Sequence, residues 1–237
     1  MQLLRVNRAT AEKARGVVIV IDVIRAFTVA GYAFAGGASG LWLVREVAEA
    51  QALRARDPQA LLAGEVGGRL IPGFDLNNSP ALIQQTNLRG RRLIQRTGAG
   101  TQGAVGVINA DSVLLCALTN AQATVRYALQ LAEEGQGIIT TLPTGESSDF
   151  VYGNEDTLCA DYIEALMQEH DDEAQAILAR GIPELRASGR FALWEEGNAD
   201  FPVEDISSAL AINRFDFAMV GQHQQWHNIT YVDVHKA

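Results

Sequence analysis

Short apolar runs and longer stretches of helical period alternate along most of the chain. "GVVIVID" (16–22) is β-branched and apolar until it meets an aspartate, which predicts a buried strand. "VIRAFTVAGYAFAGGA" (23–38) is alanine-rich and ends in glycines, the pattern of a helix and its stop. The alternation continues with a strand over "GLWLV" (40–44), a helix over "REVAEAQALRARD" (45–57) and a strand over "ALLAGE" (60–65) that ends at Glu65. Beyond a glycine-rich stretch, "RRLIQRT" (91–97) predicts a strand and "GAGTQGAVGVIN" (98–109) a loop running into a helix start. "SVLLCAL" (112–118) is a strand, and "NAQATVRYALQLAEEG" (120–135) an amphipathic helix with a glycine stop.

"GIITTLPTG" (137–145) predicts another strand, and "EDTLCADYIEALMQE" (155–169) a helix whose acidic residues suit its positive N-terminal end. A short helix over "DDEAQAILARG" (171–181) and strands over "RFDFAMVG" (214–221) and "NITYVDVH" (228–235) complete the pattern. Repeated strand–helix alternation predicts an α/β fold, a mainly parallel or mixed sheet with helices on both faces. No repeat, low-complexity tract or linker-like composition divides the sequence, so residues 1–237 are expected to form a single domain.

Charge and composition narrow the function classes. With 28 acidic against 19 basic side chains the net charge is −9, and nucleic-acid binding, which needs a basic face, is not expected. "MQLLRVNRATAEKARG" lacks the apolar core of a signal, and "VVIVIDVIRAF" is interrupted by Asp22 and Arg25. Nothing approaches the ~20 apolar residues of a membrane span, so the expectation is a soluble, cytoplasmic protein with no membrane partner. Cys116 and Cys159 each sit in an apolar stretch without a CxxC, which reads as two buried free thiols.

In sheets of this kind ligands bind beyond the carboxyl ends of the strands. Asp22, Glu65 and the pair Arg96–Thr97 fall at such ends, and "PTGESSDFVYGNED" follows "GIITTL". Asp22 with Arg25 three residues later, taken alone, reads slightly better as a helix cap with a paired arginine. "GEVGGRLIPGFDLNNSP" (64–80) shifts the balance by adding Glu65 and Asp75 in glycine-rich loops, beside Asn77, Asn78 and Ser79. The bland reading of that stretch is an elaborate turn with side-chain to backbone hydrogen bonds. Oxygen-only ligands favour magnesium or calcium over zinc or copper, and magnesium binds through a few carboxylates plus waters and substrate phosphate. "QRTGAGTQG" (95–103) can hold an oxyanion with backbone N–H groups and the hydroxyls of Thr97 and Thr101, although a tight βα turn explains it equally well. His223 and His227 in "HQQWH" have no third ligand nearby, Cys159 shares a helical face with Tyr162, Ile163 and Leu166, and "MQEHDDE" (167–173) is a solvated charge run. None of these three is a candidate site.

"VVIVIDVIRAFTVA", "LLAGEVGGRLIPGFDLNNSP", "QRTGAGTQGA", "NADSVLLCALTNAQAT" and "GNEDTLCADYI" occur in this order, and together they resemble the 2-phosphosulfolactate phosphatases. The resemblance runs from about residue 16 to 166 and continues faintly through "FPVEDISSALAINRFDF". It implies a magnesium-dependent enzyme, first associated with coenzyme M biosynthesis, that hydrolyses 2-phospho-3-sulfolactate to 3-sulfolactate and phosphate. The DxDx(T/V) signature of the haloacid-dehalogenase phosphatases is absent, since Val23 and Ile24 follow Asp22.

On this reading Asp22, Glu65 and Asp75 surround a Mg2+ ion, directly or through water. Asn78, Ser79, Thr97 and Thr101 donate to phosphate oxygens, while Arg25 and Arg96 hold the anionic ends of a small phospho-acid substrate. Asp156, with Glu155 beside it, completes the site as a supporting group or general acid/base. Asp22 is the first choice if a protein nucleophile takes part, and attack by water stays open. A phosphatase of another small phosphorylated hydroxy acid and a non-catalytic anion-binding module are the alternatives. A homo-oligomer is compatible with all three.

Overall fold

The computed structural model describes residues 1–145 and 155–237. Its strands are β1 (Gln2–Arg5), β2 (Gly16–Ile21), β3 (Gly40–Val44), β4 (Leu61–Val66), β5 (Arg69–Leu70), β6 (Arg92–Arg96), β7 (Ala110–Cys116), β8 (Ile138–Pro143), β9 (Met219–Trp226) and β10 (Ile229–Lys236). The helices are α1 (Ala26–Ala35), α2 (Val47–Arg56), α3 (Pro80–Gln84), α4 (Gly100–Gly106), α5 (Ala121–Glu134), α6 (Glu155–Met167), α7 (Asp171–Ala187), α8 (Ala192–Glu195) and α9 (Glu204–Ala209). The ten strands form one mixed sheet in the order β1-β8-β2-β7-β9-β10-β3-β6-β4-β5. β1, β8, β2 and β7 pair in parallel, as do β3, β6 and β4. Between these two parallel groups β9 and β10 run as an antiparallel hairpin. The fold is α/β, as the alternation predicts.

Strand alternation sorts the side chains onto two faces. On one face Val18 and Val20 of β2, Leu41 and Leu43 of β3, and Leu61 and Ala63 of β4 share a single core with Phe27 and Ala30 of α1 and Ala104 of α4. β2 and β4 stand six places apart in the sheet, so sharing those helices requires the sheet to curl around them. On the outer face two separate cores form. Ile19, Leu114 and Ile139 pack on α5 and α6, and Trp42, Leu62 and Ile94 pack on α2. The curl has a functional consequence. Asp22 continues the inward face of Val18 and Val20, and Glu65 continues that of Leu61 and Ala63, so both strand ends point into one concavity.

β1, β5, α3, α8 and α9 add to the expected elements, and two expected segments have other bounds. β9 begins at Met219 and continues to Trp226, beyond the expected end at residue 221. It pairs with β7 only over Met219–Gly221, and its outer half pairs with β10 alone, as a ribbon whose polar side chains face solvent. His223 is therefore on a strand and His227 in its hairpin turn, not on one helical face. α7 continues past Gly181 and Pro183 to Ala187. Gly181 does not stop the helix. It allows close packing on α6, because a Cβ there would lie 2.3 Å from Leu158 Cδ1. Among the described residues no helix is long and apolar enough to cross a membrane.

Candidate active site

Asp22 leaves β2 into a short turn that enters α1, and it is 5% exposed. Its Oδ1 accepts the Ala26 N–H at 2.9 Å, which fixes the carboxylate over the first turn of α1. Gly100, at the start of α4, packs against the same group. A Cβ on Gly100 would lie 2.6 Å from Asp22 Oδ2 and 2.8 Å from the Ala26 Cβ, so only glycine fits.

Asp156 reaches the same pocket from the first turn of α6. Its Oδ1 accepts the Val23 N–H at 2.7 Å and its Oδ2 the Gly145 N–H at 2.7 Å, tying together the chain segments that follow β2 and β8. Glu155 beside it is buried and accepts two hydrogen bonds from Arg190, at 2.8 Å from Nε and 2.5 Å from Nη2. On the far wall Glu65 is the last residue but one of β4, and its Oε2 accepts the Gly68 N–H at 2.7 Å and its Oε1 the Gly98 N–H at 2.5 Å. The 98–100 turn therefore connects Glu65 to Asp22.

Crowding of carboxylates in a dry pocket has an electrostatic cost. Burial pushes the Asp22 carboxyl up to about 6, and the charges of Glu155 and Glu65 add to it against the N–H groups of Ala26 and Gly100. Burial also pushes the Asp156 carboxyl well up, with the charges of Asp22 and Glu155 adding to it. Shifts of this kind gather at sites built for proton or cation chemistry.

The other residues singled out in the sequence fall into different places. Asp75 stands apart from Asp22 and Glu65. Its Oδ2 accepts the Leu62 N–H at 2.8 Å and pairs with Arg54 of α2, so it braces the start of β4 and not its end. Arg25 caps α1 with its guanidinium 3% exposed, donating to Asp205 Oδ2 at 3.0 Å, Asp200 O at 2.6 Å and Gly68 O at 2.9 Å. Ser79 caps α3 and donates to Asp205 Oδ1 at 2.6 Å. Thr97 and Thr101 bond mainly to each other across the entry to α4. Arg96 donates to the carbonyls of Arg45 and Glu65 at 3.0 and 2.8 Å. Asn78 is buried with Oδ1 accepting from Gln95 at 3.1 Å, and its Nδ2 has no partner among the described residues. Residues 146–154, within "PTGESSDFVYGNED", lie outside the described residues. Arg190, Asp200 and Asp205 went unnoticed in the sequence, since each acts on partners that are distant along the chain.

Comparison with known proteins gives the family of the chain. The family model described as 2-phosphosulpholactate phosphatase matches residues 3–184, from β1 nearly to the end of α7. The chain belongs to this family. A relative from Bacillus subtilis named "Probable 2-phosphosulfolactate phosphatase" is 40% identical over 152 residues, which are 63% of this chain and 63% of that protein. A relative of the same name from Deinococcus radiodurans is 35% identical over 207 residues, 87% of this chain and 80% of its own length. One from Thermus thermophilus is 36% identical over 166 residues, 69% of this chain and 68% of its own. The family match takes in Asp22, Glu65 and Asp156, whereas Arg190, Asp200 and Asp205 lie beyond it.

Proposed function

We propose that the chain is a magnesium-dependent phosphate-monoester hydrolase that converts 2-phospho-3-sulfolactate and water to 3-sulfolactate and phosphate. The observation that carries this reading is Asp22, a buried carboxyl pushed up to about 6 at the end of an inner strand, facing Glu65, Glu155 and Asp156. The names of the relatives in the same family support the substrate.

The donor set suits a hard cation in part. Among the described residues no three or more His, Cys, Asp or Glu side chains are grouped to hold a metal by themselves. Magnesium does not need such a cage, because it keeps waters and shares substrate phosphate with one or two carboxylates. Asp22 and Glu65 would be those carboxylates, and Asp75 would not. When bound, the ion supplies charge that neutralises phosphoryl oxygens and stabilises the leaving alkoxide.

The chain's own residues do the rest. Asp22 lies between the first turn of α1 and the 98–100 turn. Without an ion its carboxyl, pushed up to about 6, can hold a proton close to neutral pH, whereas an ion bound there would favour the ionised form. Asp156 keeps the segments after β2 and β8 in place through the Val23 and Gly145 N–H groups, so it is a positioning residue. Asn78 offers Nδ2 to a phosphate oxygen. Glu65 holds the 98–100 turn against Asp22 by accepting the Gly98 N–H. The net charge of −9 opposes an anionic substrate, but salt screens it beyond roughly 8 Å, so charge within the pocket decides. Phosphate release from a panel of phosphorylated hydroxy acids, with magnesium and with excess chelator, tests the reading. Activity undiminished by chelator would remove magnesium from it.

A further inference from the structure

A substrate that carries sulfonate and carboxylate beside its phosphate needs a second cationic contact within reach of the carboxylate pocket. Arg8 touches the 98–100 turn through the Gly98 carbonyl at 2.9 Å, and Arg25, Arg96 and Arg190 also border that pocket with different hydrogen bonds. Arg25 lies against the edge-to-face pair Trp194 and Phe201, 5.6 and 5.1 Å from their centroids, with its guanidinium engaged by Asp205 and two carbonyls. Arg96 is engaged by the carbonyls of Arg45 and Glu65. Arg96 keeps Nη2 without a partner among the described residues, but it is held by backbone carbonyls, whereas Arg190 is tied to a carboxylate of the pocket itself. Glu155 occupies one edge of its fork, Nε and Nη2, and Nη1 has no hydrogen-bond partner among the described residues. Its side chain is 29% exposed, so it is partly open to solvent.

We propose that Arg190 is the specificity-determining cation of this site, binding the sulfonate or carboxylate of the substrate through its Nη1–Nη2 edge. This rests on the phosphatase reading and deepens it. A planar guanidinium has two edges that can each meet an oxyanion bidentately, and here one is held by Glu155 while the other is presented. Glu155 adjoins Asp156 at the start of α6, so the pair brings the guanidinium beside the carboxylate cluster. Position is fixed from behind as well. Phe191 is 1% exposed and packs with Leu185, Trp194 and Ile206, while the Arg190 N–H donates to Ser188 Oγ at 3.3 Å. Although burial works against it, the charge of Glu155 keeps the guanidinium protonated, and the charges of Asp156 and Asp22 reach it too. Arg190 lies just after the residues 3–184 that the family model matches, and within the stretch shared with the Deinococcus radiodurans relative, whose 207 matched residues must include it.

The test uses the full chain and the variants Arg190→Lys, Arg190→Gln and the charge-balanced pair Glu155→Gln with Arg190→Gln. Kinetics on 2-phospho-3-sulfolactate and on p-nitrophenyl phosphate give the preference of each protein as a ratio of kcat/KM. Arg190→Gln should lower that ratio about tenfold or more, through KM, the scale of losing a charge-assisted bidentate contact. Arg190→Lys should recover only part of it. Calorimetric titration with 3-sulfolactate should show the same weakening without any turnover. A ratio unchanged in the folded variants, or wild-type protein that does not bind 3-sulfolactate, would overturn the proposal. Wild-type protein that binds 3-sulfolactate through Arg190 but releases no phosphate from any ester would instead reject the phosphatase reading alone.

Discussion

Arg25 and Asp205 form an ion pair at 3.0 Å in which neither side chain is more than 3% exposed. Asp205 also accepts from Ser79 Oγ and the Ala81 N–H, so one carboxylate joins the starts of α1 and α3 to α9. Asp205→Asn would leave Arg25 buried without its counter-charge, at a cost of about 3–5 kcal/mol. For a chain of this size that corresponds to a fall in melting temperature on the order of 10 °C. Thermal unfolding checks it, and a change of less than about 2 °C would show that the pair does not hold these segments.

Asp75 is expected to be dispensable for turnover. Asp75→Asn removes the pair with Arg54, whose side chains are about one-third exposed, and leaves an oxygen to accept the Leu62 N–H. Stability should fall by no more than about 1 kcal/mol. Turnover should stay within about a factor of two, as for a change of less than half a kcal/mol in the barrier. A drop of a hundredfold or so in the folded variant would return Asp75 to the metal site.

Gly100→Ala tests the contact on Asp22. The added methyl would meet Asp22 Oδ2 and the Ala26 Cβ below 3 Å. Overpacking of this kind costs about 1–3 kcal/mol, and displacement of Asp22 should lower turnover about tenfold or more. Melting and phosphate-release measurements together check this. Normal activity would show that the carboxylate does not need its present place.

The raised carboxyl of Asp22 gives a pH signature in metal-free protein. Its folded value of about 6 exceeds the ordinary 3.8, so the folded state binds the proton more tightly than the unfolded chain. The stability this contributes is complete below about 3.8 and is lost as pH rises through about 6, and Asp156 shifts in the same direction. Melting temperature in chelator should therefore carry a falling component between about pH 4 and 7 that Asp22→Asn diminishes. Magnesium, if it binds the ionised carboxylate, should stabilise more at pH 8 than at pH 5. Identical pH profiles for parent and variant would contradict the assignment.

Much of the fold was legible because β2 and β3 are compact apolar or β-branched runs and α5 has a clear helical period. β9 was less so, because its outer half faces solvent on a two-stranded ribbon and carries polar side chains. Gly181 looked like a stop because a sequence does not show that α6 lies against it. In the site, Asp22 and Glu65 were legible as acids at strand ends. Asp75 shared their loop chemistry, yet the turn that follows β5 returns it to Leu62, near the start of β4, where Arg54 meets it. Arg190 and Asp205 were hidden for the opposite reason: they meet Glu155 and Arg25 from 35 and 180 residues away.

Asp22 at the centre of a phosphatase pocket is the claim on which the rest depends, and one measurement addresses it most directly. Inorganic phosphate released from 2-phospho-3-sulfolactate is followed for the parent and for Asp22→Asn, in magnesium, with circular dichroism confirming that both are folded. The parent should release phosphate, and the variant should be slower by roughly two orders of magnitude or more, the scale for losing a central electrostatic group. Equal rates in the two folded proteins, or no release by the parent, would contradict the account.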